Sequence, residues 1–386
     1  MNDSNSMLIC GLMTGTSLDG IDCALAKFSV DSKGKHQMEI ISSLTDEMPF
    51  EIKDKISSLI VSPDKVHISD ISMLNFALPK LFDSSIRKLC SESGTDIADI
   101  VAVGMHGQTI WHDPTADRLR NMSTASTLQI ASASVLSALS GTKVVADFRS
   151  ADIALGGQGA PLVPIFDYNF LSCADEDIIT LNIGGISNIT IMPAGCSEEE
   201  ISAFDTGPGN TLIDYAMRRA YGREYDRDGK IARSGFLIPD MLEELMSLPY
   251  IKSKPPKSTG RELFNPDLIR QFMLDNRYLP EDIVRTLTEY TALTIAENIK
   301  IFASEKATII ASGGGIRNLF LKELLNEKLP DSKIVTSDEY GIEGDTKEAL
   351  CFAYLAYRRL LGLHGNVQSV TGASGKVLCG IIADSR

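Results

Sequence analysis

The segment Ala203-Phe-Asp-Thr-Gly-Pro-Gly-Asn-Thr-Leu-Ile-Asp214 places one acid, Asp205, where an apolar run gives way to a glycine turn. The run predicts a strand ending at that acid. Gly207, Pro208 and Gly209 predict a turn, and Asn210 and Thr211 can cap a helix starting at Leu212. A carboxylate at a strand end beside a helix N-terminus can take a proton in a cleft, although the helix dipole by itself lowers its pKa. An aspartate that only caps the turn fits the same residues. A second set of chemistry-bearing residues is His106-Gly-Gln-Thr-Ile-Trp-His-Asp-Pro114, after a short strand expected over residues 99–105. Open α/β sheets receive ligands at such C-terminal strand ends. His106 and Gln108 are candidates for a polar wall against a sugar, whereas His106, His112 and Asp113 match no familiar zinc spacing. The third set is Asp147, Arg149 and Asp152, followed by the turn Gly156-Gly-Gln-Gly159. Arg149 can grip a phosphate or carboxylate with two parallel hydrogen bonds, or it can close a local ion pair. Serine-triad chemistry lacks its G-x-S-x-G elbow.

Phosphate binding has its own candidates. Apolar runs at residues 8–12 and 21–28 flank a turn carrying Gly15, Thr16, Ser17, Leu18, Asp19 and Gly20. This reads as a hairpin whose glycines let an anion approach backbone N–H groups, with hydroxyls at Thr14, Thr16 and Ser17. Asp19 and Asp22 could position Mg²⁺ directly or through its waters. An ordinary hairpin turn is the alternative, and recurrence weighs against it. Residues 178–192 repeat the plan around Gly184 and Gly185, and Gly313, Gly314 and Gly315 lie between an apolar run at 307–311 and a helical pattern from Leu319. Neither the P-loop nor the dinucleotide glycine pattern is present.

The elements that must carry these residues alternate. Helices are expected over 71–89, 131–139, 281–302 and 346–361, a further strand over 142–146, a connection over 148–164, and a loop around Lys254-Pro-Pro-Lys-Ser-Thr-Gly-Arg261. The fold class is therefore α/β. A length of 386 residues suits two domains. With 37 basic and 51 acidic residues the net charge is −14, which argues against non-specific binding to nucleic acid or an anionic membrane. The seven scattered cysteines have no C-x-x-C pair, and Cys10, Cys23 and Cys351 sit in apolar runs, as reduced core residues do. Residues 1–6 lack a basic leader and no run of about 20 apolar residues follows, so the cytoplasm is the expected location.

With these segments in place, the chain resembles the anhydro-N-acetylmuramic acid kinases over nearly its whole length. The matching stretches are GLMTGTSLDGID (11–22), HGQT (106–109), ADFR and GGQGAPLVP (within 146–164), LNIGG (181–185), FDTGPGN (204–210), DRDG (226–229), KSTGRE (257–262), GGG (313–315) and DEYGI (338–342). Trp111 and residues 343–347 lie outside the pattern. The resemblance implies the α/β fold of hexokinase, actin and the Hsp70 ATPase. That fold has two lobes, duplicated RNase H-like domains, that close over Mg-ATP in a central cleft. The lobes are expected at 1–165 and 166–386, each with one phosphate hairpin. The GGG turn lies on the adenosine side, and the C-terminal helix is able to pack back on the first lobe.

The implied reaction opens the internal anhydro bridge with water and phosphorylates the freed 6-oxygen, giving N-acetylmuramic acid 6-phosphate and ADP in cell-wall recycling. On this resemblance the general base falls on Asp205 and a second acid, associated with the water, on Glu348. ATP contacts fall on Gly15, Thr16, Ser17, Leu18, Asp19, Gly20, Ile21 and Asp22, and are expected at Gly184, Gly185, Gly207, Gly209, Gly313, Gly314 and Gly315. Sugar contacts are expected at His106, Gln108, Arg149 and Gln158, and a Mg²⁺ contact at Asp19. The expected partner is the small sugar, with a homodimer compatible and no nucleic acid or membrane. Two rivals share the fold: a sugar kinase acting on a plain hydroxyl, and an ATP-driven chaperone or filament protein.

Overall fold

Apolar runs separated by short polar turns build two sheets with one shared strand order. The computed structural model describes residues 6–384 except 16, 17, 19, 63, 64, 120, 121, 261 and 262, with backbone alone at 115–119, 122 and 123. The chain divides into two units: Met1–Leu171 with Asp345–Arg386, and Ser172–Gly344.

In the first unit β1 (Met7–Thr14), β2 (Ile21–Val30) and β3 (His36–Asp46) form an antiparallel meander. β4 (Ala102–Leu119) lies parallel to β1 on its other side, and β6 (Lys143–Ala146) lies parallel to β4. β5 (Met122–Ile130) extends β4 as a hairpin, and β12 (Ile381–Ala383) closes the far edge. In the second unit β7 (Ile178–Ile183), β8 (Ile186–Met192) and β9 (Ser202–Pro208) form the meander, with β10 (Thr308–Ser312) and β11 (Lys333–Thr336) added in parallel. The orders β3-β2-β1-β4-β6 and β9-β8-β7-β10-β11 are the same. The repetition expected from two glycine hairpins is thus present as topology.

Helices cover these sheets. In the first unit α1 (Phe50–Val61), α2 (Ile68–Ser93) and α3 (Ala133–Ser140) precede α4 (Ser150–Ala154) and α5 (Val163–Leu171). In the second, α6 (Thr211–Tyr221), α7 (Lys230–Ser234), α8 (Pro239–Met246) and α9 (Arg270–Leu274) precede α10 (Pro280–Phe302) and α11 (Leu319–Lys328). Pro280 opens α10 at a position where its missing N–H costs nothing, and Glu281 and Asp282 follow in the first turn. α12 (Lys347–Leu360) returns to the first unit and is buried along nearly its whole length. It reaches β1 and β4 closely because those strands carry glycine where it crosses. A Cβ on Gly11 would lie 1.8 Å from the Ala349 carbonyl oxygen, and one on Gly104 2.0 Å from that of Phe352.

Several expectations change. The short strand at 99–105 is the first part of the longer β4, since β5 pairs with its continuation. The connection at 148–164 contains α4 and the start of α5. The polar stretch between 221 and 266 contains α7 and α8, and residues 253–260 have no helix or strand. Cys10, Cys23 and Cys351 are free and buried, as their apolar settings required.

Candidate active site

Asp205 lies inside β9, not at its end, and pairs with Asn188 of β8. The strand continues because Gly207 and Pro208 still pair with Ser187 and Ile186 of β8, and on its other edge the Asp205 N–H donates to the Lys257 carbonyl at 3.2 Å and the Tyr250 hydroxyl donates to the Asp205 carbonyl at 2.9 Å. The half-buried carboxylate accepts the Thr259 N–H on Oδ2 at 2.8 Å. A segment read as a plain loop therefore orients the acid. Asn210 takes the N-cap position of α6 but its side chain does not cap; it donates to the Ile183 carbonyl at 3.4 Å.

The glycine turns of this unit collect beyond the C-terminal ends of parallel β7 and β10, where open sheets bind ligands. Gly184 and Gly185 follow β7, and their carbonyls accept the N–H groups of Gly209, Asn210 and Thr211 at 2.8–3.1 Å. The start of α6 is tied to that turn, so these N–H groups are already used. Gly207 lets β9 approach α10, since a Cβ there would be 3.1 Å from the Thr294 hydroxyl. Gly313 has φ +83° and crowds Asn182 and Ile183, Gly315 sits against Ile183, and Gly314 faces open space.

In the first unit the turn after β1 contains Gly15, Leu18 and Gly20, leading into Ile21 and Asp22 of β2, while Thr16, Ser17 and Asp19 lie outside the described residues. Leu18 adopts φ +59° and donates its N–H to the Gly15 carbonyl at 3.2 Å. The HGQT segment binds this end of β1: Thr14 donates to the Gly107 carbonyl at 3.2 Å, and Gln108 Nε2 to the Gly15 carbonyl at 3.5 Å. Gln108 Oε1 is buried without a partner among the described residues, an acceptor beside the turn. Asp22 accepts the Thr45 hydroxyl at 2.7 Å. Among the described residues no cluster of His, Cys, Asp or Glu could cage a metal. Mg²⁺ held largely by phosphates and water needs only one or two carboxylates, which the Gly15–Asp22 segment has the residue types to supply.

Arg149, Glu348 and His106 come together within this unit. Arg149 Nε donates to His106 Nε2 at 3.0 Å and Nη1 to the Gly159 carbonyl at 2.7 Å. His106 then donates from Nδ1 to the Gly107 carbonyl at 2.8 Å, which fixes a neutral tautomer. Burial, with the Arg149 charge beside it, holds His106 well below its ordinary pKa. Both its ring nitrogens are engaged inside the protein, so His106 steadies Arg149. Asp152 makes no direct pair with Arg149 but accepts Gly159 N–H, Asn366 and Thr371 at 2.7–2.8 Å, fixing the carbonyl that holds the guanidinium. Gln158 is exposed, and its N–H donates to the Thr371 carbonyl at 2.8 Å.

Glu348 occupies the first turn of α12. Burial raises its pKa, opposed by the charges of Arg149 and Lys347. Lys347 pairs with Asp167 of α5 at 2.8 Å, both almost fully buried. Tyr250, Lys257, Thr259, Asp167 and Lys347 were not singled out individually from sequence, whereas Asp152 was, beside Arg149. A lysine opening a helix whose middle is apolar was the available signal for the last pair.

The model of the family described as anhydro-N-acetylmuramic acid kinase matches residues 7–385. A protein of Clostridioides difficile (strain 630) named anhydro-N-acetylmuramic acid kinase is 39% identical over 380 residues, covering 97% of this chain and 98% of the relative. Among solved structures, the activator of 2-hydroxyisocaproyl-CoA dehydratase from Clostridium difficile with bound ADPNP is 13% identical with a TM-score of 0.43, covering 92% of this chain and 96% of that one. A ROK hexokinase from Thermus thermophilus is 14% identical with a TM-score of 0.37, covering 91% and 99%.

Proposed function

The chain belongs to the anhydro-N-acetylmuramic acid kinase family, and from that membership we propose how its residues divide the work. The enzyme uses ATP to convert 1,6-anhydro-N-acetylmuramic acid into N-acetylmuramic acid 6-phosphate, a step of cell-wall recycling. Asp205 takes a proton from water as the water oxygen bonds to the anomeric carbon. The bond from that carbon to the bridging oxygen breaks, and the freed 6-oxygen attacks the γ-phosphorus as ADP leaves. Charge accumulates on neither oxygen because the two displacements are coupled. Glu348 helps hold the water, and Arg149, with Gln108 and Gln158, binds the sugar, its carboxylate facing the guanidinium. His106 contributes through Arg149.

The segment Gly15–Asp22, with the glycine turns at 184–185, 207–209 and 313–315, holds ATP. Mg²⁺, when bound, offsets phosphate charge, and Asp19 is the residue to hold it. The proposal includes a cytoplasmic setting and a homodimer. No helix among the described residues is long and apolar enough to cross a membrane.

The observation that carries the assignment is the Asp205 carboxylate, held at Oδ2 by the Thr259 N–H. A base needs that fixed aim before its pKa matters. Asp205→Asn should abolish ring opening and phosphorylation together, by about 10²–10⁴-fold or more. In heavy-oxygen water the wild-type product should carry label on the anomeric oxygen and none in the phosphoryl group. Label in free phosphate with the bridge intact would mean that water attacks ATP and that Asp205 has another role.

A further inference from the structure

Lys257 is an odd residue for its position. It is 9% exposed, and its ammonium lies 5.1 Å from the Tyr250 ring centroid, 5.6 Å from Phe204 and 6.0 Å from Phe302. Its hydrogen bonds are long, to the carbonyls of Tyr250 at 3.4 Å and Ile251 at 3.3 Å. A leucine or methionine would fill such a site without the cost of burying a charge. What favours the cation is electrostatic: three ring faces and the carboxylate of Asp205, which opposes the effect of burial on Lys257.

The parts of this cage are also the parts that hold Asp205. Phe204 precedes it in β9, and Tyr250 donates its hydroxyl to the Asp205 carbonyl. The carbonyl of Lys257 itself accepts the Asp205 N–H, and Thr259, two residues on, binds the carboxylate. Without an anchor, residues 253–260 have no helix or strand to fix them.

We infer that Lys257 is a positioning residue for Asp205: its ammonium, seated among Phe204, Tyr250 and Phe302, pins the segment whose backbone aims the carboxylate. This rests on the reading of Asp205 as the base. The lysine touches no reacting atom. It sets the direction of the group that does, and a small misalignment of such a group costs rate more than binding.

The test is steady-state kinetics of the full chain carrying Lys257→Met, Lys257→Arg or Tyr250→Phe, with thermal midpoints measured alongside. Lys257→Met should lower kcat by about 10–100-fold while KM for ATP and for the sugar stays within about twofold. Lys257→Arg, which keeps a cation in the cage, should recover most of that loss. Tyr250→Phe keeps the ring and deletes one tie to β9, and should lower kcat by about 3–10-fold with KM unmoved. A folded Lys257→Met enzyme with wild-type kcat overturns the inference, as does a loss spread equally over kcat and KM that arginine fails to repair. Should the methionine variant not fold, wild-type kcat in Tyr250→Phe overturns it instead. Asp205→Asn separates the two readings: if that variant stays active the base assignment fails, whereas an inactive Asp205→Asn beside a fully active Lys257→Met rejects only the positioning role.

Discussion

Arg149 is held at two points, by His106 on Nε and by Gly159 on Nη1, and that geometry belongs to a guanidinium alone. One ammonium cannot make both bonds. Arg149→Lys is therefore expected to lower kcat/KM by roughly tenfold or more, measured as sugar-dependent ADP release. His106 carries a pH consequence. Its pKa in the folded chain lies well below the ordinary 6.5. Above that value the ring is neutral in both states and its contribution to stability is complete. As pH falls below 6.5 the unfolded chain binds the proton and the folded chain does not, so stability is lost until the depressed folded pKa is reached. His36 and His112 are lowered as well and act with the same sign. Urea unfolding between about pH 7.5 and 5 should show this decline, and His106→Asn should make it shallower; an unchanged slope would place the titration elsewhere.

At the scale of elements, α12 matters most, because Glu348 stands in its first turn and its body lies on β1 and β4. The approach depends on two glycines. Gly104→Val would drive a side chain into the Phe352 carbonyl, and shifting α12 to relieve it should cost about 1–3 kcal/mol or more and reduce kcat in the same variant. Denaturant midpoints and turnover measured together would test this. The buried Lys347–Asp167 pair fixes the same turn against α5. Asp167→Asn leaves an uncompensated ammonium and should lose about 3–5 kcal/mol, whereas Lys347→Met with Asp167→Leu should recover most of it. If the double variant is no more stable than the single one, the pair does more than neutralise itself. Gly11 and Gly104 sit in plain apolar runs, and nothing local in those runs announces the helix that crosses them.

For the whole molecule, the path of the chain makes the units unequal. Ser172–Gly344 is continuous and has its own sheet and apolar core from Ile179 to Leu329. Expressed alone, residues 172–344 should unfold in one cooperative transition, followed by circular dichroism. Residues 1–171 alone lack α12 and leave the faces at Gly11 and Gly104 uncovered, so they should show no such transition. Cooperative folding of that fragment would mean that α12 adds little to the first unit.

What the sequence determined by itself was local and repeated. The hairpins β1–β2 and β7–β8, the strand, glycine turn and helix at 308–328, and α10 with its opening proline follow from apolar period and turn chemistry within a few residues. Asp205 was legible as a candidate for the same reason, as an acid next to a shaped turn. Tertiary structure decided what surrounds it. Pairing of Gly207 and Pro208 with β8 carries the strand past Asp205, and the segment 250–259 occupies the strand's other edge at Asp205, which no pattern in either segment specifies. The pairing of Lys347 with Asp167, the hold of His106 on Arg149 and the seating of Lys257 among three rings join residues far apart in the chain. Local pattern reports which face of an element is apolar. It does not report which distant side chain meets a buried charge, because that is set only when sheets and helices pack.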